Sequence, residues 1–288
     1  MTVMYKKELR QLFGGVRGFA VIGILLLICG FYTVFQNLLS ASPDFSIALT
    51  GMLPALIVAL PILSAKSFAT ERTCGTHGLL YSLSLRPSDI VLGKYLAHLT
   101  VFSITMLVIA IYPLILSFFG MVEMGKIYFA WFGMWLLGAA LLSICLFFSL
   151  FFKNAWANWG LGAAILLFLY LIQLFLTALP SAAWFSLLII ELALIGVCVW
   201  LLLVIGSKLA VGCFAILPIG TAILFAINPS LFTSLLSRIL SQSNPFARFA
   251  GFIYGRFDLQ GILFFISVAV LFVYATVKIT DCRRDKEN

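Results

Sequence analysis

The sequence predicts an all-α polytopic membrane protein with about eight transmembrane helices. Of its 288 residues, 63% are hydrophobic and 10% are charged, and the mean hydropathy is +1.16. Soluble domains carry about 45–50% apolar and about 25% charged residues, so these charges are too few for a water-soluble surface. The apolar residues also form runs of roughly 20 residues, the length that crosses a bilayer as a helix. We therefore expect a single membrane domain, residues 1–288.

Each apolar run is predicted to be helical because a chain in hydrocarbon must satisfy its own backbone hydrogen bonds. The runs do not alternate polar and apolar residues, as the strands of a membrane barrel do. A window of about 19 residues places the spans at residues 19–39, 47–65, 96–119, 129–152, 155–179, 182–205, 209–227 and 259–279. Residues 182–227 leave an alternative open: if they form a re-entrant pair, six full spans remain.

The distribution of cations predicts the orientation. The net charge of +8 is dispersed between apolar runs and forms no basic stripe, which argues against a nucleic-acid partner. With the N-terminus in the cytosol, the positive-inside rule is satisfied. The outer side then receives only Lys126, Arg238, Arg248 and Arg256. Both termini are predicted to be cytosolic, and membrane lipids are expected to surround most side chains.

Three segments outside the spans are predicted to have their own structure. Residues 1–17 contain a cytosolic amphipathic helix suited to the membrane surface. Its apolar side consists of Leu9, Leu12 and Phe13. Residues 228–258 form an external loop, in which Asn228 can cap a helix that has Pro229 at its first position. The third segment, residues 66–94, is the only long cytosolic loop.

The order of residues in this cytosolic loop is typical of a short helix lying across the membrane surface. Glu71 and Arg72 precede a Gly75-Thr76 break, which can end one helix and begin another. Further along the loop come Leu79, Leu80, Ser82, Pro87, Asp89, Gly93 and Lys94. Two interpretations stay open from these residues alone. The loop offers a compact surface to a cytosolic protein, or it is a solvated hairpin that only joins two spans.

The same loop resembles that of the type-2 ABC transporter permeases. In that family E-x-x-x-G-T is followed by L-L-x-S and, further along, by G-K-Y-x-A. The matching residues are Glu71, Gly75, Thr76, Leu79, Leu80, Ser82, Gly93, Lys94, Tyr95 and Ala97. Residues 243–259 are similar to the gliding-motility-type branch of the family. The chain departs from the pattern at Ser84, where the family usually has proline, and residues 182–227 show no clear match.

The resemblance implies a permease subunit that works with two cytosolic ATPase subunits and a second permease subunit, identical or different. The loop would be the coupling helix seated in a cleft of the ATPase. Its coupling residues would be Glu71, Arg72, Gly75, Thr76, Leu79, Leu80 and Ser82. The chain would lie in the cytoplasmic membrane of a bacterium and would export its substrate. The alternatives are a stand-alone secondary transporter or channel and, more distantly, a membrane enzyme.

No motif in the chain indicates an enzyme, a cofactor site or a metal site. Residues 120–127 match the start of a phosphate loop, but Ile127 stands where the magnesium-binding Ser or Thr would be. The two histidines, His77 and His98, have no cysteine or acidic partner at ligand spacing. The six cysteines show no C-x-x-C spacing. ATP hydrolysis is therefore expected from a partner.

One acidic residue, Glu191, lies well inside an apolar run. A charge there costs about 2.5–3.5 kcal/mol on insertion scales, so something must offset the charge or the carboxyl stays protonated. One interpretation places Glu191 on a substrate path or in a hydrogen bond with a neighbouring helix, with Gln173 as the candidate partner. The other is a protonated or outward-reaching glutamate without a function.

Overall fold

The protein forms a bundle of long apolar helices. The computed structural model describes residues 1–40, 42–73, 86–118, 122–178, 242–255 and 258–287, and within these ranges the regular structure is helical, with no strand. Six of the described helical stretches are long and apolar enough to cross a membrane: Val16–Leu39, Leu53–Thr73, Pro87–Leu116, Met124–Phe148, Ala155–Ile172 and Leu259–Cys282. The chain is therefore a multi-pass α-helical membrane protein.

The helices are numbered here in chain order. The first five are α1 (Thr2–Phe13), α2 (Val16–Tyr32), α3 (Ser46–Gly51), α4 (Leu53–Ser64) and α5 (Ala69–Thr73). A π-helical segment, Thr33–Leu39, continues α2. The others are α6 (Pro87–Ile109), α7 (Tyr112–Leu116), α8 (Met124–Phe148), α9 (Ala155–Ala178), α10 (Pro245–Ile253) and α11 (Leu259–Glu287).

Six of the eight predicted spans coincide with described apolar helices. The other two, residues 182–205 and 209–227, lie outside the described residues. Helix α6 begins at Pro87 and already contains Gly93 and Lys94, so the last residues of the predicted cytosolic loop, 66–94, are helical. Pro87 occupies the first turn of α6, where its fixed φ is compatible with a helix and its missing N–H is not needed.

Helix α8 is the centre of the larger of two compact units. This unit comprises Met1–Leu169 and Arg248–Asn288. Within it α8 packs against α4, α6 and α11 and buries most of its side chains. Gly138 lets α6 approach closely, since a Cβ at this position would overlap the ring of Phe102.

The two ends of α8 contact different parts of the unit. Near its start, Phe129 stacks on Phe252 with ring centroids 5.3 Å apart. Near its end, Leu146 packs with Phe68 and Val91 in one apolar cluster. At 1.5 Å per residue, Phe129 and Leu146 are about 25 Å apart along the helix. The polar ends of the bundle are thus well separated.

The second compact unit is Tyr170–Ala247, of which residues 170–178 and 242–247 are described. Here the Asn244 side chain accepts a hydrogen bond from the backbone N–H of Phe246 at 3.0 Å. Asn244 is therefore the N-cap of α10, which begins at Pro245. The predicted cap at Asn228 lies outside the described residues. The same Asn-Pro pair thus occurs twice in the predicted loop, and the described cap is the second of them.

Candidate functional site

A lysine with no exposed surface lies where three helices meet. The Lys94 side chain on α6 is 0% exposed. Its ammonium donates hydrogen bonds to Glu8 Oε1 at 2.6 Å, to the Ser67 carbonyl at 2.6 Å and to Glu71 Oε1 at 2.9 Å. An ammonium has three N–H donors, so the charge is fully satisfied. We call Lys94, Glu8, Glu71 and the Ser67 carbonyl the Lys94 cluster.

The members of the Lys94 cluster come from distant parts of the sequence. Glu8 belongs to α1, Glu71 to the short helix α5, and Ser67 to the turn between α4 and α5. The Phe68 ring lies under the ammonium, with its centroid 4.9 Å from Nζ, a cation–π contact. A single positive charge therefore holds α1, α5 and α6 together.

A second cation reaches the cluster from its solvent side. Lys7 Nζ lies 3.3 Å from Glu71 Oε1, the same oxygen that contacts Lys94. The Lys7 side chain is 42% exposed, so water and salt screen this pair and it adds little stability. The buried contacts of Lys94 are the ones that fix the arrangement.

Burial and charge oppose each other at Glu8. Burial alone would raise the pKa of the Glu8 carboxyl, but the charge and hydrogen bond of Lys94, with smaller electrostatic contributions from His98 and Lys7, outweigh it and hold the pKa below the ordinary value. The carboxylate is therefore ionised at neutral pH. Taking two opposite charges out of water is offset only when their geometry and hydrogen bonds are good, and the Lys94 cluster meets that condition.

The N-terminal helix α1 docks on α6 through a face that the sequence did not predict. Met4, Glu8 and Leu12, spaced four residues apart, are its buried residues. Of the predicted apolar side, Leu12 is buried, and Leu9 and Phe13 are half-buried. A charged residue, Glu8, lies in the middle of the buried face because its partner Lys94 is there.

Close approach of α1 to α6 depends on Gly93. An added Cβ at Gly93 would lie 2.9 Å from Cβ of Met4 and 3.1 Å from the backbone N of Tyr5. About two turns further along α6, the Tyr5 hydroxyl hydrogen-bonds the Thr100 hydroxyl at 3.0 Å. The adjacent residues Gly93 and Lys94 thus have complementary roles: the glycine allows contact and the lysine supplies the charge.

His98 lies one turn beyond Lys94 and is also buried. Its Nδ1 is 2.6 Å from the Lys94 carbonyl and its Nε2 is 3.0 Å from the Leu63 carbonyl. A neutral imidazole can donate to only one of these two acceptors. The ring joins α6 to the end of α4, which is a structural use of the residue. Across the described ranges, no group of His, Cys, Asp and Glu side chains could hold a metal ion.

Two of the predicted coupling residues can be located. Glu71 and Arg72 both belong to α5, and Glu71 joins the Lys94 cluster. The other predicted positions, Gly75, Thr76, Leu79, Leu80 and Ser82, lie outside the described residues, as does Glu191. Gln173 belongs to α9, and its side chain lies outside the described part.

The phosphate-loop-like stretch is also partly described. Gly125 and Lys126 form the first turn of α8, and Lys126 Nζ pairs with Asp44 Oδ2 at 2.9 Å. This pair links the turn before α3 to the start of α8. The lysine that a phosphate loop would use for nucleotide is thus in an ion pair at the opposite end of the bundle from Lys94.

Sequence reasoning missed Glu8 and Lys94 as partners. Lys94 was identified only as part of the match at Gly93, Lys94 and Tyr95, and Glu8 only as one residue of the predicted amphipathic helix. The signal present in the sequence was the position of Glu8 between Met4 and Leu12, four residues from each, which places a charge on an otherwise apolar helix stripe. A charge on such a stripe indicates a buried partner of opposite sign.

Comparison with known proteins adds no family to these observations. No protein-family model matches the chain, and no curated protein matches it either.

Proposed function

We propose that this chain is the transmembrane permease subunit of an ABC transporter of the type-2 kind. It works with two cytosolic ATPase subunits and with a second permease subunit, in the cytoplasmic membrane of a bacterium, in the direction of export. The segment around Glu71 is its coupling helix, and both termini face the cytosol. The proposal rests on the loop residues that resemble this family and on the Lys94 cluster.

The anchoring of Glu71 is the observation that carries the proposal. A loop that merely joins two spans has no need of a buried ion cluster. Here Glu71 of α5 is bonded to a fully buried ammonium that belongs to the spanning helix α6. A force applied to α5 would therefore move α6 and α1 as well, as expected of rigid elements that shift together.

The charge distribution favours a partner-driven permease over a stand-alone transporter. Secondary transporters keep coupling ions and substrates at sites near the bilayer midplane. Among the described residues, the buried ionised side chains are Glu8 and Lys94, and both lie at one end of the bundle. They hold helices together at the level where a cytosolic ATPase would act.

Energy for transport is supplied by another subunit in this proposal. The single stretch that resembles a phosphate loop lacks the hydroxyl residue at Ile127, and its Lys126 is paired with Asp44. We expect a reading frame next to that of this chain to encode an ATPase with a complete phosphate loop. That ATPase is the probe for the experiment below.

The test compares two loop variants, Glu71→Ala and Leu80→Asp, with the control Asp44→Ala. Glu71→Ala and Asp44→Ala each remove a carboxylate that pairs with a lysine, but from opposite ends of the bundle. Co-expression of the tagged full-length chain with the ATPase is followed by co-purification and by measurement of ATPase activity in proteoliposomes. We expect both loop variants to insert normally and to lose the ATPase. Glu71→Ala removes the charged hydrogen bond to Lys94 that holds α5 on α6, a contribution of about 1.5–3 kcal/mol. Leu80→Asp introduces a carboxylate that would be costly to bury against the ATPase.

Asp44→Ala and the predicted outer-side variant Arg238→Ala should retain the ATPase. Undiminished association and ATPase activity in both loop variants would remove the coupling assignment. The stand-alone secondary transporter would then become the better proposal.

A further inference from the structure

An apolar cleft with cations at its rim lies between α2, α4 and the start of α9. Its volume is about 270 Å³, and Arg17, Ile62, Lys66, Trp156 and Trp159 line it. It involves none of the groups of the Lys94 cluster. The cleft lies where α2 begins, α4 ends and α9 begins. This is the end of the bundle that carries the Lys94 cluster.

The cations at this cleft form no described salt bridge. Arg17 and Lys66 form no salt bridge with any carboxylate in the described ranges, and neither does Lys153. Lys153 lines a neighbouring groove of about 510 Å³ that shares Lys66 with the cleft. Glu8 acts electrostatically on Arg17, but its carboxylate is already bonded to Lys94. Three cations thus line the cleft and its neighbouring groove without a described salt bridge.

The two tryptophans indicate the level of the cleft in the membrane. Trp156 is 78% exposed, and its ring meets the Trp159 ring edge-on with centroids 6.3 Å apart. The Trp159 indole N–H donates to the Val58 carbonyl of α4 at 3.4 Å, which holds that ring against the wall of the cleft. Tryptophan is enriched at the boundary between headgroups and acyl chains. The cations thus lie beside the headgroup region.

We propose that this cleft binds an anionic phospholipid from the surrounding leaflet. Arg17 and Lys66 hold the headgroup phosphate, for which a guanidinium offers paired N–H donors, and Lys153 adds positive potential. One acyl chain lies along Ile62 and Trp159. Basic pockets between helices on the cytoplasmic side are typical sites for such headgroups. The proposal holds whether or not the chain is an ABC permease.

Lipid fits the cleft better than a free phosphate ion does. A small anion would occupy only the rim, and the apolar walls formed by Ile62 and Trp159 would stay in contact with water. The acyl chain of a bound lipid would cover those walls and exclude water from them, while the phosphate of the same lipid would pair with the cations. The two sources of phosphate can be distinguished by experiment.

The experiment uses the purified full-length protein in a neutral detergent. Thermal stability is titrated with phosphatidylglycerol, with phosphatidylcholine of the same acyl chains, and with inorganic phosphate. We expect phosphatidylglycerol alone to raise the unfolding temperature. The apparent affinity should fall about fivefold for Arg17→Gln and again for Lys66→Gln, the loss expected for one cation at a membrane surface. Lys278→Gln, which removes an exposed cation away from the cleft, should change nothing.

Lys66 is exposed, so Lys66→Gln should fold even if Arg17→Gln does not. Native mass spectrometry of the same samples should show phosphatidylglycerol retained by the wild type and lost from Lys66→Gln. Equal stabilisation by the two lipids, or equal lipid affinity of the wild type and Lys66→Gln, would overturn the proposal. Stabilisation by inorganic phosphate as strong as that by lipid would overturn it too, in favour of a soluble anion.

Discussion

Lys94 retains its charge inside the protein because each N–H of its ammonium has an acceptor. Two acceptors are carboxylates and the third is the Ser67 carbonyl. Removing one partner of a buried ion pair leaves an uncompensated charge and is far more damaging than replacing the whole set by neutral groups. This asymmetry gives a direct test of the cluster.

Lys94→Met should lower the free energy of unfolding by about 3–5 kcal/mol, because it leaves Glu8 buried without its counterion. Chemical unfolding in detergent micelles measures the loss. The combined variant Lys94→Met with Glu8→Gln and Glu71→Gln should recover a large part of it, since no buried charge then remains. A combined variant less stable than Lys94→Met alone would contradict this account.

Glu8 should also make stability depend on acidity. The pKa of its carboxyl is held below its ordinary value of 4.5 in the folded protein, so the unfolded chain takes up the proton first as the pH falls. The contribution of Glu8 is therefore fully present above the ordinary glutamate pKa and is lost as the pH falls through the lowered pKa. Groups that face it are Lys94, His98, Lys7 and Arg17.

The corresponding measurement is the unfolding temperature of the wild type and of Glu8→Gln between pH 7 and pH 3. The wild type should be the more stable at neutral pH, and the difference should shrink in acid. A difference that stays constant down to pH 3 would show that ionisation of Glu8 is not involved.

At the residue scale, the sequence supplied candidates but not their partners. Glu71 was predicted from the loop pattern, whereas its contact with Lys94 depends on how two helices meet. Asn158 shows the same limit: its buried amide donates to the Ser149 and Phe152 carbonyls at 3.0 and 2.9 Å. Nothing in the local sequence distinguishes Asn158 from an ordinary polar residue near a helix start.

Among the elements, α1 depends on a single small residue for its close contact with α6. Gly93→Ala should displace α1, because the new Cβ would lie 2.9 Å from Cβ of Met4 and close to backbone. We expect a loss of about 1–3 kcal/mol, the usual effect of an overpacked contact. Circular dichroism during thermal unfolding would measure it.

Gly23→Ala is the matched control, because nothing lies within 4 Å of a Cβ added there. It should be neutral or slightly stabilising, since alanine favours a helix over glycine by about 1 kcal/mol. Equal stability of the two variants would mean that α1 does not depend on close approach at Gly93.

Helix ends were predicted less well than helix centres. Apolar runs locate a span because every residue in it contributes, whereas an end depends on one or two residues. The helix that contains the predicted third span begins nine residues before that span, at Pro87, because Asp89 and Lys94 interrupt the apolar pattern on which the span prediction depends. Lys94 belongs inside the helix because the protein, and not water, satisfies its charge.

At the scale of the whole molecule, the Lys94 cluster and the Asp44–Lys126 pair lie at opposite ends of α8. Positive-inside reasoning predicts that the Lys94 end is cytosolic. Single cysteines in a cysteine-free background test this. Thr73→Cys should react with a membrane-impermeant maleimide only after the cells are opened, and Tyr254→Cys should react in intact cells.

Both positions are exposed, Tyr254 by 74%, so a failure to react would reflect the membrane and not burial. Labelling of Thr73→Cys in intact cells, with Tyr254→Cys protected, would invert the predicted orientation. Labelling of both from one side would contradict the separation of the two ends.

Composition was enough to predict an α-helical membrane protein, because a chain with so few charges and such long apolar runs cannot form a water-soluble surface. The arrangement of helices did not follow. Packing around α8 is determined by residues such as Gly138 and Phe102. Their contact cannot be predicted from the sequence of either helix alone. For the same reason the joining of α1, α5 and α6 at Lys94 became evident only from the structure.

Because Glu8 and Lys94 lie far apart in the sequence, α1 can pair with α6 only after much of the chain has been synthesised. The two residues are 86 positions apart, and a ribosome adds about 5–20 residues per second. Lys94 is therefore synthesised about 4 to 17 s after Glu8. During that interval α2 and α4 are synthesised. The apolar side chains of α1 can meanwhile rest at the lipid–water boundary, as amphipathic helices do. Docking of α1 is therefore a late step of biogenesis, completed only after the third span has been made.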